Sequence, residues 1–181
     1  MSLLLATLLP GLFLLLLGGL LLWNNPRVSS AAKALPRSKP AAWLLFGAGA
    51  VWFLLRLSHV GESDLIFFQE PKPLMIGFGV LAVLAFIYTP DFLAVRGLCV
   101  LMLVVAEPLL YSAYMERSHP QRLLMVTAVY LGLGLSLYLA AAPYRLRDFF
   151  EWLFGAPGRP RLLGAILLAY GLATSAAAFT Y

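Results

Sequence analysis

Residues 92–114 read FLAVRGLCVLMLVVAEPLLYSAY, an apolar run whose only charges are Arg96 near its start and Glu107 deep inside it. About 20 such residues wound as a helix cross a hydrocarbon core of about 30 Å, so this run is long enough to span a bilayer. A carboxylate at the depth of Glu107 is costly in lipid unless it is protonated, hydrated or paired. Pro108 follows it and cannot donate to the carbonyl four residues back, at Val104, which loosens the helix where the acid sits. The stretch therefore predicts a membrane-spanning helix whose acid needs a partner or a task.

The rest of the 181-residue chain repeats the pattern. It is 62% hydrophobic and 12% charged, with a mean hydropathy of +0.89. Soluble domains lie nearer 45–50% apolar and about 25% charged. Apolar runs also cover 3–23, 41–57, 73–88, 123–142 and 162–179. Six runs predict an all-α polytopic membrane protein of about six transmembrane helices, forming a single transmembrane domain over 1–181 with no folded extramembrane module. The run 73–88 is short, and it is expected to tilt, re-enter or thin the bilayer. The first run has no basic residue ahead of it and is too long for a signal-peptide core, so it is expected to stay as a span despite the Ala32-Lys33-Ala34 sequence after it. Between the runs lie Asn24-Asn25-Pro26, Pro71-Lys72-Pro73, Thr89-Pro90-Asp91 and His119-Pro120, all with turn chemistry. Thr89-Pro90-Asp91 reads as an N-cap, a proline at the first helical position and an acid in the first turn.

Charge sets the expected orientation. The net charge is +5, but the basic residues sit in short links rather than on a water-facing module, which excludes nucleic acid as a partner. Alternate links place Arg27, Lys33, Arg37, Lys39, Arg96, Arg145, Arg147, Arg159 and Arg161 on one side, and Arg56, Lys72, Arg117 and Arg122 on the other. The richer side is expected to be cytoplasmic, against anionic lipid headgroups, with both termini outside. The lone Cys99 allows neither an internal disulfide nor a thiolate metal site, and no cofactor is expected.

Two links deserve comparison. Shifting the chain onto itself brings Pro26 onto Pro143, Pro40 onto Pro157, Gly47 onto Gly164 and Phe53 onto Tyr170. The helix pairs 3–57 and 123–179 thus read as weakly repeated units flanking a central pair, 73–114; the bland alternative is that Leu-rich hairpins with proline in the link look alike. In the second link Leu146, Phe149, Phe150, Leu153 and Phe154 recur at i, i+3, i+4, i+7 and i+8, which predicts an interfacial amphipathic helix near 145–155. It serves either as a connector or as a contact for a partner or lipid. The two terminal pairs resemble small two-span bacterial inner-membrane proteins with a proline and basic residues in the link. That resemblance implies an inner (plasma) membrane location and no particular activity.

Helix geometry gives Glu107 a candidate partner. Arg56 and Glu107 fall at nearly equal distances from the cytoplasmic ends of the second and fourth runs, roughly 22–24 Å at about 1.5 Å per residue. A structural ion pair is one reading of Glu107, a neutral packed acid the second, and a proton or ion site the third. His59, Glu62, Asp64, Glu116 and His119 gather in the outer links and form a candidate metal cluster, although turn spacing argues for solvated residues instead. No nucleophile motif, phosphate loop or zinc-protease motif is present. The glycines of several runs offer small surfaces for close helix packing. The expectation is a non-enzymatic accessory or scaffold subunit working with other membrane protein subunits and lipids. The alternatives are a small transporter or channel using Glu107, and then a membrane enzyme or metal site at the outer cluster.

Overall fold

The structure, a computed structural model, describes residues 1–60, 70–116 and 118–181. Among these residues eight α-helices follow in order: α1 (Leu3–Trp23), α2 (Pro26–Ala34), α3 (Lys39–Leu57), α4 (Lys72–Tyr88), α5 (Leu93–Ala113), α6 (Arg122–Ala141), α7 (Tyr144–Leu153) and α8 (Gly158–Ala178), with a 3-10 turn at Leu35–Arg37. No strand occurs among the described residues. Helices α1, α3, α5, α6 and α8 are long and apolar enough to cross a membrane, and the chain is an all-α membrane protein. Helix α4 has 17 residues and rises only about 25 Å, less than the hydrocarbon thickness.

Local chemistry sets the boundaries. The Ser2 hydroxyl accepts the Leu5 N–H at 3.4 Å at the head of α1, and left-handed Asn24 (φ 46°) ends that helix. Asn25 then caps α2, its side chain accepting the Arg27 N–H at 2.9 Å, with Pro26 supplying a preset φ. Ser38 does the same for α3, accepting the Ala41 N–H at 3.3 Å. Thr89-Pro90-Asp91 does not start a helix as its composition suggested. The Thr89 hydroxyl turns back to donate to the Ala85 carbonyl at 3.1 Å, closing α4. Helix α5 instead begins after Phe92, which sits at φ 58° without a side-chain cap, its ring covered by the Arg37 guanidinium at 5.4 Å.

Helix α1 and helix α8 make the most extensive pairing. They run antiparallel, since Gly11 faces Ser175 while Gly18 faces Gly164 and Leu168. A Cβ placed on Gly18 would come within 2.7–2.9 Å of Leu168 and the Gly164 carbonyl, and one on Gly164 or Gly171 would meet α1 equally closely. Four glycines at heptad spacing therefore let the two backbones touch. Tyr170 ties α8 to α6 by donating to the Leu124 carbonyl at 2.8 Å.

Helices α3 and α5 run parallel: Gly97 abuts Phe46, and Gly49 abuts Val100. Helix α6 returns antiparallel to α5, with Ala106, Leu109, Ala113, Met125 and Val129 forming a core that also takes in Ala6 of α1. Helix α4 lies against α3 through aromatic pairs, Trp43 with Phe86 at 4.4 Å and Phe53 with Phe78 at 5.2 Å. None of its residues is buried. Helix α2 packs on α7, so both links lie on one face of the bundle. Of the positions that the internal sequence echo superposes, Gly164 lies in the α1–α8 seam, whereas a Cβ on Gly47 would meet nothing within 4 Å among the described residues.

Candidate functional site

The ends of α3 and α5 away from the links carry Arg56 and Glu107. Because α3 and α5 are parallel, one sequence offset relates Phe46 to Gly97, Gly49 to Val100 and Arg56 to Glu107. The close contact at the two glycines fixes this register. It brings Arg56 Nη2 against Glu107 Oε2 as an ion pair. The two side chains remain 50% and 56% exposed, so the pair stands at the rim of the helix interface rather than inside it. Together with Phe53, Leu57, His59 and Val60 it lines an open recess of about 470 Å³. Pro108 lies within α5 immediately after the acid.

The recess holds two opposite charges that already neutralise one another, an imidazole, and an apolar wall. Such a site can hold two helices in register. It can also accept a polar group in exchange for one partner. Sequence reasoning had not assigned Phe53, Leu57 and Val60 to this site. Phe53 and Leu57, one turn apart at the end of α3, offered a helical-spacing signal; Val60 lies beyond the helix and offered none.

Among the described residues, the outer His and acid side chains form no group of three or more. His59 Nδ1 lies 2.7 Å from the Leu55 carbonyl and 3.2 Å from the Ser58 hydroxyl. His119 is 3.5 Å from Glu116 and rests edge-on against Tyr181 at 5.2 Å. Glu62 and Asp64 lie outside the described residues, among which no group of three or more metal-ligating side chains occurs. The Ser118 hydroxyl donates to the Glu116 carboxylate, and this bond, with a smaller contribution from His119, holds the Glu116 carboxyl below its ordinary pKa. Nearby, Arg122 donates to the Ala113 carbonyl at 2.5 Å, placing a cation at the C-terminal end of α5 where the helix dipole favours it.

The amphipathic face of α7 is divided. Leu146 and Leu153 are buried; Leu146 joins Val95, Cys99 and Leu139, with Phe150 packed alongside. Phe154 is half-buried beside Phe150. Phe149 remains exposed, and so does Trp152, which sequence periodicity had not included. Arg159 covers the Trp152 ring at 4.7 Å while its Nη1 donates to the Trp152 carbonyl at 2.7 Å. Leu146 and Leu153 thus serve the chain's own core, and only the Phe149–Trp152 edge is open to another molecule.

Fold and site together define an all-α polytopic membrane protein with a charge pair at one end and a layer of short helices at the other. Comparison with protein-family models, with curated proteins and with solved structures finds no match.

Proposed function

We propose that this protein is a non-enzymatic accessory or scaffold subunit of a larger membrane assembly. The observation that carries the reading is helix α4. It buries none of its residues, and a Cβ on its Gly77 or Gly79, or on Gly47 of the neighbouring α3, would meet no other part of the described residues within 4 Å. Glycine inside a helix is destabilising by roughly 0.5–1 kcal/mol relative to alanine. At Gly11, Gly18, Gly97, Gly164 and Gly171 that cost is offset by close backbone contact. Gly19 and Gly134 are open as well, but their helices are anchored by buried residues; on α4, which has no such anchor, the missing contact is supplied in this reading by a helix of another protein. The direction of α3 and α5 supports α4 as the sixth crossing, because a chain with two parallel spans needs a return between them. The basic links then face the cytoplasm and both termini lie outside.

In this reading the Arg56–Glu107 pair fixes which helices meet, the best-attested use of such pairs. Native mass spectrometry of the protein released from its own membrane in mild detergent tests the assignment. Defined complexes with other chains are expected, and a lone monomer would contradict it.

The recess lined by Arg56, Glu107 and His59 favours one second reading, a small transporter that moves a proton or ion past Glu107. The two readings part at Glu107→Gln. A scaffold loses stability or assembly, whereas a transporter keeps its assembly and loses flux.

A further inference from the structure

The link face differs from the opposite face in pairing as well as in number of cations. Of the nine basic residues on the link side, only Arg147 has a carboxylate within 4.0 Å among the described residues, at Asp148 and Glu151. On the other side Arg56 and Lys72 hold Glu107 and Glu70, and Arg122 is spent on a helix end. Four of the unpaired cations, Arg27, Lys33, Arg37 and Lys39, lie along the α2 link, and three more lie where α7 meets α8, the corner that adds exposed aromatic rings to the charge. There Arg145, Arg159 and Arg161 are exposed. Phe149 and Trp152 stand exposed beside them, 6.1 Å apart between ring centres. Arg159 contacts the Trp152 ring and donates to the Trp152 carbonyl, and its other N–H groups have no acceptor among the described residues.

We infer that the α7–α8 corner binds the headgroups of anionic phospholipids from the adjoining leaflet. Phe149 and Trp152 sit at the acyl boundary, where amphipathic rings concentrate. Arg145, Arg159 and Arg161 then meet the phosphates at headgroup level, and guanidinium donors suit phosphate oxygens by geometry as well as charge. The buried half of α7, Leu146 and Leu153, anchors this edge to the bundle so that it cannot roll away from the interface. The inference is independent of the subunit assignment, since a lone chain would present the same corner to lipid.

Full-length protein in nanodiscs containing equal mole fractions of phosphatidylglycerol and phosphatidylcholine tests it, with lipids that survive ejection counted by native mass spectrometry. The expected result is at least a threefold preference for phosphatidylglycerol. The preference should fall towards parity in Arg145→Gln/Arg159→Gln/Arg161→Gln and with rising salt. The charge-conserving Arg→Lys triple should retain most of it, and unchanged helix content by circular dichroism shows that both triples are folded. Parity in the wild type overturns the inference. So does a preference that survives the Gln triple, or retention of an acidic protein at this corner in place of lipid.

Discussion

Gly18 and Gly19 are neighbours in α1 with opposite surroundings, and alanine at each gives opposite expectations. At Gly18 the new methyl group would lie 2.7 Å from the Leu168 nitrogen, 2.8 Å from the Gly164 oxygen and 2.9 Å from the Leu168 Cβ. Two of these are backbone atoms of α8, so a rotamer change cannot relieve the overlap. The seam has to open by about 0.6 Å, and gaps of that size forfeit a quarter to a half of the dispersion well of each contact along it. Overpacking of this kind typically costs about 1–3 kcal/mol. Alanine returns up to about 1 kcal/mol through its higher helix propensity. The net expectation for Gly18→Ala is a loss of about 1–2 kcal/mol. For a chain of this size that corresponds to roughly 3–6 °C in Tm. Gly19 has nothing within 4 Å, so Gly19→Ala keeps the propensity gain alone and should match or slightly exceed the wild type. Thermal unfolding of the two variants in the same detergent reads the difference. Equal Tm values would refute the claim that the α1–α8 pair is held by backbone contact at its glycines.

Other expectations follow from the charged ends of the helices. Glu107→Gln leaves Arg56 unpaired at the rim of the α3–α5 interface, and the loss should be about 1–3 kcal/mol, between a water-exposed pair and the 3–5 kcal/mol of a fully buried one. Arg56→Gln combined with Glu107→Gln should recover part of that loss in a double-mutant cycle of detergent unfolding. Arg122→Gln removes the cation that serves the Ala113 carbonyl and should lower stability by about 1 kcal/mol in the same assay. At Glu116 the lowered pKa means that its favourable contacts are present above the ordinary carboxylate range and disappear as pH falls through the folded-state value. Ser118→Ala removes the principal cause, so a ¹³C side-chain titration of Glu116 should move up towards the unperturbed carboxylate value.

The spans were legible because a bilayer demands long apolar helices, and the runs at 3–23 and 92–114 leave the helices α1 and α5 little latitude. The level shared by Arg56 and Glu107 was legible for a related reason: helix rise is fixed, and the runs that carry them start at the same face. Partner choice was hidden. Nothing in a glycine's neighbours along the chain says whether it meets another helix, and Gly18 meets α8 while Gly19 meets nothing. Helix α2 escaped notice because its Ser, Ala, Arg and Lys residues show no apolar stripe; the Asn25–Pro26 start is what makes it a helix. At Thr89 a good N-cap residue closes the preceding helix instead. A hydroxyl can serve either end, and the local sequence does not choose between them.

The unpartnered face of α4 is where the account is most exposed to test. A photo-crosslinking amino acid placed at Gly77, in cells that make the protein at its natural level, reports what lies against that face in the native membrane. The account predicts a discrete protein adduct at Gly77 that is absent when the same probe replaces Phe13, on the exposed face of α1. Adducts with lipid alone at Gly77 would contradict it.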